Sequence, residues 1–171
     1  MADPFETLGV KPAFDLDLGA LEKRHRELSR ALHPDRYAGR PPGERRQALG
    51  RAIEVNEAWR QLSDPIRRAE ALLQRSGVKV GEGAEPKADP VLLMEMMEQR
   101  EALADARRAR DQAALEKLAD GIRKREASVL TRLGAGFKSQ ATGDDLLRQL
   151  GELRYYRRFL QEAAAIEDEL F

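Results

Sequence analysis

The chain has 171 residues, enough for one or two small domains. Its 30 basic and 30 acidic residues cancel, so bulk charge gives no argument for nucleic-acid binding or for an acidic partner. The absence of cysteine excludes disulfides, thiol catalysis and cysteine zinc sites. Aromatic residues make up only 5% of the chain, Ala, Leu, Glu and Arg dominate, and no stretch alternates with a period of two. An all-α fold is predicted. No apolar run approaches membrane-spanning length, and the acidic opening "MADPFETLG" is unlike a signal or transit peptide. A soluble cytoplasmic protein is therefore expected.

Residues 4–9 read as a short helical turn, with Phe5 and Leu8 as its apolar contacts and Gly9 closing it. After the connection "VKPAFDLD", Asp17 is placed to cap a helix running to about Leu32. Leu21, His25, Leu28 and Leu32 recur at helical spacing and form one apolar stripe. At about 100° per residue, Lys23, Arg26 and Arg30 fall together on the opposite side. Pro34 cannot continue this helix and pushes His33 out of the helical region. A polar loop, "DRYAGRPPGE", follows. The next helix is predicted over about 44–62, with Leu49, Ile53, Val55, Ala58, Trp59 and Leu62 as its apolar positions. It closes at "SDP", where Ser63 or Asp64 can cap a further helix with Pro65 at its first position. That helix, "PIRRAEALLQRSG", stops at Gly77. Charge is uneven here: residues 23–51 hold nine Lys or Arg against Glu27, Asp35 and Glu44.

The stretch "VKVGEGAEPKADP" reads as a linker, placed at residues 77–88. Leu72 and Leu73, just before it, form an apolar edge expected to lie against the preceding hairpin or against the helices beyond the linker. Three helical stretches then fill the chain, at about 90–110, 112–134 and 143–169, with "LGAGF" and "ATGD" punctuating the last gap. Short connections make residues 89–171 an antiparallel three-helix bundle. On the first of these helices Leu92, Met96, Gln99 and Leu103 share one side. Leu93, Met94 and Met97 lie well around from them, near Glu98, Glu101 and Asp105. The apolar arc is wider than one buried stripe requires. Either the helix is deeply buried, or the surplus is an exposed patch rimmed by acids, where methionines suit an adaptable partner site. On the last helix Leu146, Leu150, Leu153 and Leu160 make the inner stripe, while Tyr155 points the other way as an anchor candidate.

The His33-Pro34-Asp35 turn lies between a basic-faced helix and "IEVNEAWRQLSDP", with "DPFETLGV" before both. This arrangement resembles the J-domain, the module by which co-chaperones engage DnaK-class ATPases. Further on, "VLLMEMMEQREAL" and "ELRYYRRFLQEAAAIEDEL" resemble the opening and the last helix of the C-terminal bundle in the HscB family, the J-proteins of bacterial iron–sulfur cluster assembly. The likeness covers nearly the whole chain. It departs from an ordinary J-domain at "AEALLQRSG", where an "RxxYD"-type ending is usual.

The resemblance implies a J-domain over residues 1–76 whose His33, Pro34 and Asp35 contact an HscA/DnaK-class ATPase and promote ATP hydrolysis without doing chemistry. It implies docking through Lys23, Arg26, Arg30 and Arg36, on a surface interrupted by Glu22 and Glu27. For residues 89–171 it implies binding of the scaffold IscU through Leu93, Met94 and Met97, with Glu98, Glu101 and Tyr155 beside them. No cofactor and no metal are implied, and the absence of a cysteine-rich zinc module points to the bacterial form. His25, where J-domains commonly carry an aromatic, reads as a core histidine with a satisfied ring nitrogen.

Three rival readings use the same residues. One is a J-protein with another client. Another is a nucleic-acid-binding hairpin on the 23–51 basic face, for which Tyr37 and Trp59 are poor stacking support. The third, an enzyme, would use His33 and Asp35 as an acid–base pair, but no nucleophile or metal cluster is spaced to serve them.

Overall fold

The computed structural model describes residues 2–81 and 86–170. Among them the fold is all-α, with seven helices, one 3-10 turn and no strand: α1 (Pro4–Leu8), α2 (Leu18–Ala31), the 3-10 turn (Pro34–Tyr37), α3 (Pro42–Ser63), α4 (Pro65–Arg75), α5 (Pro90–Ala109), α6 (Gln112–Lys138) and α7 (Gly143–Leu170). The chain divides into two compact units, Met1–Lys79 and Val80–Phe171.

Aspartates set the helix starts in the first unit. Asp3 accepts from the Phe5 backbone N–H at 2.9 Å, Asp17 from that of Ala20 at 3.0 Å, and Asp64 from that of Arg67 at 2.9 Å. Each satisfies a donor that the first helical turn leaves unpaired. Gly9 ends α1 in the left-handed region, φ 67°, where a side chain would be strained. Helix α3 begins at Pro42, earlier than Glu44, because proline at a first helical position gives up an N–H that has no intrahelical partner.

The core of this unit is Phe5, Leu8, Leu21, Val55, Ala58, Leu62 and Ala71, with Leu28, Leu32, Trp59 and Leu72 packed against it. Leu73 is buried as well, and α4 packs on α3. Two of the apolar positions expected along α3 stay outside the core. Leu49 and Ile53 are 56% and 61% exposed, while Ala48 is buried in their place. The face of α3 that turns inward carries Ala48, Val55, Ala58 and Leu62, and Leu49 and Ile53 fall outside that arc at about 100° per residue.

In the second unit, ion pairs fix helix direction. Glu95 of α5 meets Arg125 of α6 at 2.7 Å, and Arg132 of α6 meets Glu152 of α7 at 2.9 Å. Arg100 meets Glu162 at 3.6 Å, and Arg107 meets Glu169 at 2.6 Å. So α5 and α7 run parallel, and α6 runs against both, the up-down-up order of an antiparallel bundle. Helix α6 continues through Gly134-Ala135-Gly136 to Lys138, beyond the expected end near 134. Those glycines do not break the helix: Gly136 is buried, and a Cβ there would stand 2.9 Å from Leu146 Cδ2. On α7, Leu146, Leu150 and Leu153 are buried as expected. Tyr156 and Phe159 join them, and Leu160 is only half-buried.

Candidate functional site

Helix α2 ends at Leu32, and His33 has extended backbone angles, φ −60° and ψ 134°, as a residue before proline must. Pro34 then opens the short 3-10 turn that replaces the first part of the expected loop. His33, Pro34 and Asp35 are all exposed. The Asp35 backbone N–H donates to His33 Nδ1 at 3.4 Å, and the Asp35 carboxylate lies 3.4 Å from the same nitrogen. The turn is thus locally braced while both side chains face solvent. Lys23, Arg26, Arg30 and Arg36 are exposed along α2 and the turn. Arg26 is paired with Glu22, and Arg24 with Glu27 at 3.6 Å, which divides the basic face. On the inner side, His25 Nε2 donates to Asn56 Oδ1 at 3.0 Å, and its ring stacks on Trp59 with centroids 5.1 Å apart. The imidazole therefore serves the packing of α2 on α3.

Arg68 is buried, with Nη1 donating to the Leu62 carbonyl at 2.7 Å and its guanidinium 5.1 Å from the centroid of the Phe14 ring. Burial lowers its pKa, and the charges of Asp64 and Asp15 oppose the shift. It ties the start of α4 to the loop that carries Phe14.

On α5, Met96 and Leu103 are buried and Leu92 and Gln99 half-buried, the expected inner side. Leu93 is 38% exposed, Met94 65% and Met97 71%. The deeply buried alternative for this helix is thereby excluded. Glu98 and Glu101 are exposed around these side chains. The parallel register of α5 and α7 puts Tyr155 level with Leu93. Arg100–Glu162 and Arg107–Glu169 are both offset by 62 residues, and one heptad earlier the same offset pairs the level of Leu93 with that of Tyr155. Tyr155 is half-buried under the Arg158 guanidinium, 4.8 Å from the ring centroid. It also lines a surface cavity of about 820 Å³ together with Val91, Leu92, Glu95 and Arg158. An apolar strip on α5, rimmed by carboxylates and ending at an aromatic, suits a protein partner more than a small polar ligand. Among the described residues no group of three or more His, Asp or Glu is arranged to hold a metal ion, and no helix is long and apolar enough to cross a membrane.

Residues 3–71 match the DnaJ domain, and residues 88–164 match the domain described as the HSCB C-terminal oligomerisation domain. A co-chaperone protein HscB homolog of Shewanella sp. (strain W3-18-1) is 36% identical over 169 residues, 97% of each chain. One from Shewanella oneidensis has the same identity and coverage. The chain belongs to the HscB family. The structure of chaperone HscB from Vibrio cholerae superposes with a TM-score of 0.87 at 30% identity, covering 99% of this chain and all of that one. Human co-chaperone protein HscB shares the fold, with a TM-score of 0.89 at 23% identity, 98% of this chain and 83% of that one. Membership in the HscB family makes this a J-domain co-chaperone with a role in iron–sulfur cluster assembly.

Within this HscB-family bundle, sequence reasoning passes over Tyr156. Its hydroxyl donates to Glu152 at 2.9 Å, and Glu152 also holds Arg132. Burial, then the bond to Glu152, pushes the phenol up to about 12. The signal is the three-residue spacing of Leu153, Tyr156 and Phe159, which puts them on one side of α7. Leu93, Arg100 and Arg107 repeat every seven residues, as do Tyr155, Glu162 and Glu169, and the ion pairs set one series against the other.

Proposed function

We propose that residues 1–76 stimulate an HscA/DnaK-class ATPase and that residues 89–171 hold an IscU-type scaffold and deliver it to that ATPase during cluster maturation or transfer, in the bacterial cytoplasm. Residues 77–88 act as the linker. His33, Pro34 and Asp35 engage the ATPase and trigger hydrolysis, the chain itself doing no chemistry. Lys23, Arg26, Arg30 and Arg36 steer the encounter, an effect that falls as salt rises. Leu93, Met94 and Met97 supply the apolar contact to the scaffold, Glu98 and Glu101 its polar edge, and Tyr155 its anchor. Because one chain carries both sites, capture of the scaffold raises its effective concentration at the ATPase, and hydrolysis is coupled to capture. The observation that carries this reading is the exposed His33-Pro34-Asp35 turn in a chain related to HscB proteins along 97% of its length.

The test is His33→Gln. Stimulation of a DnaK-class ATPase in a steady-state phosphate-release assay is expected to vanish, while scaffold binding by calorimetry persists. Equal stimulation by variant and wild type overturns the assignment of the turn.

A further inference from the structure

Leu49 and Ile53 lie outside the core of the first unit and belong neither to the turn, the basic face nor the α5 strip. They are four residues apart on α3, both more than half exposed, with the exposed Arg45 and Arg46 one turn before Leu49. Such a pair forms one continuous apolar spot on a helix. Its position on the hairpin follows from the contacts between α2 and α3. His25 and Asn56 bond across the two helices, and Ser29 Oγ lies 3.3 Å from the same His25 nitrogen, so Asn56 and Ser29 mark a shared flank. Ile53 and Leu49 stand three and seven residues before Asn56, which keeps them on that flank of α3 and turned outward. On α2 the residues just outward of Ser29 are Arg26 and Arg30. At the other end of the hairpin Leu32 and Ala48 line one small cleft with Tyr37 and Arg51, so the helices are in step there too. Leu49 and Ile53 therefore lie between these two levels, alongside the half of α2 that leads into His33.

Resting on the proposed ATPase docking, we infer that Leu49 and Ile53 are a second, apolar element of the same docking surface, received by an apolar spot bordered by carboxylates on the DnaK-class ATPase. The choice of occupant rests on charge and place. On the same face of α3, Arg45, Arg46 and Arg60 outnumber Glu57, so this face is net basic and suits a partner acidic at its rim, whereas a second copy of it would bring like charges together. The exposed His33-Pro34-Asp35 turn is at the same end of the hairpin. Docking then has two physically separate parts. The arginines govern the association rate and its dependence on salt, and the apolar pair governs how long the complex lasts.

The experiment uses the full chain and a DnaK-class ATPase that the wild type stimulates. Leu49→Gln with Ile53→Gln keeps helix propensity while removing apolar area. Kinetic binding at several salt concentrations is expected to show dissociation faster by about tenfold or more, with an unchanged salt slope of association. Arg26→Gln with Arg30→Gln is expected to do the reverse, flattening the salt slope. Wild-type dissociation by the Gln pair, in a preparation where His33→Gln abolishes stimulation, overturns this inference and leaves the reading of the turn intact. Stimulation that survives His33→Gln overturns that reading instead. Should sedimentation show a wild-type dimer that the Gln pair abolishes, the spot belongs to a second copy and the inference fails.

Discussion

Truncating Leu93, Met94 and Met97 together to Ala separates a binding surface from a core more sharply than any other change to this chain. Full burial of a Leu or Met side chain stabilises by about 1.5–3 kcal/mol relative to leaving it in water. Only the area now exposed can be gained on binding, so the exposures of 38%, 65% and 71% scale that figure. Together they allow roughly 3–5 kcal/mol if a partner covers all three, and alanine keeps part of each contact. A loss of about 3 kcal/mol is expected, roughly a 150-fold rise in the Kd for an IscU-type scaffold, read by isothermal titration calorimetry. Stability should fall by roughly 1–3 kcal/mol, mostly from the covered part of Leu93, with the helix propensity of alanine offsetting some of the loss. Two results would refute the reasoning. A Kd within about threefold of wild type, with helicity intact by circular dichroism, would place the scaffold elsewhere. A fall in stability of more than about 4 kcal/mol would mean that these side chains support the fold.

Tyr156→Phe should cost about 1–2 kcal/mol at neutral pH by removing the hydrogen bond to the Glu152 carboxylate. The folded phenol, raised from 10.0 to about 12, holds its proton where the unfolded one has lost it. Its contribution is therefore whole below pH 10 and is lost as pH climbs from 10 to 12. Urea unfolding of wild type and variant at pH 9 and pH 11.5 should show the gap narrowing, and a constant gap would contradict the account. Arg68→Ala should destabilise the first unit by about 2–4 kcal/mol, from the lost bond to the Leu62 carbonyl, the lost stacking on Phe14 and the cavity left behind. Chemical denaturation measures it, and a change under about 0.5 kcal/mol would make Arg68 an ordinary surface residue.

Local chemistry made most helix boundaries legible. Asp17, Asp64 and Asp89 carry caps that need no tertiary information, and Pro65 and Pro90 sit where a missing N–H costs nothing. The turn at His33-Pro34-Asp35 was readable for the same reason, since Pro34 acts on its own neighbours. What escaped depends on packing. Gly134 and Gly136 look like helix breakers in a string, yet α7 approaches α6 so closely at Leu146 that a small residue belongs there. Leu49 and Ile53 look like core by hydrophobicity, but α3 is covered along one arc only, and the small Ala48 fits inside it. Of the candidate site, the outward α5 residues followed from counting an arc that was too wide. That Tyr155 stands level with Leu93 required the ion-pair register between α5 and α7.

The chain has a single tryptophan, and that tryptophan lies face to face with His25 in the first unit. The emission of an indole depends on the ring packed against it, so Trp59 is a built-in optical gauge of the α2–α3 hairpin. Tyr155 and Tyr156 belong to the second unit and Tyr37 to the first, so the tryptophan signal alone is native to one half of the protein.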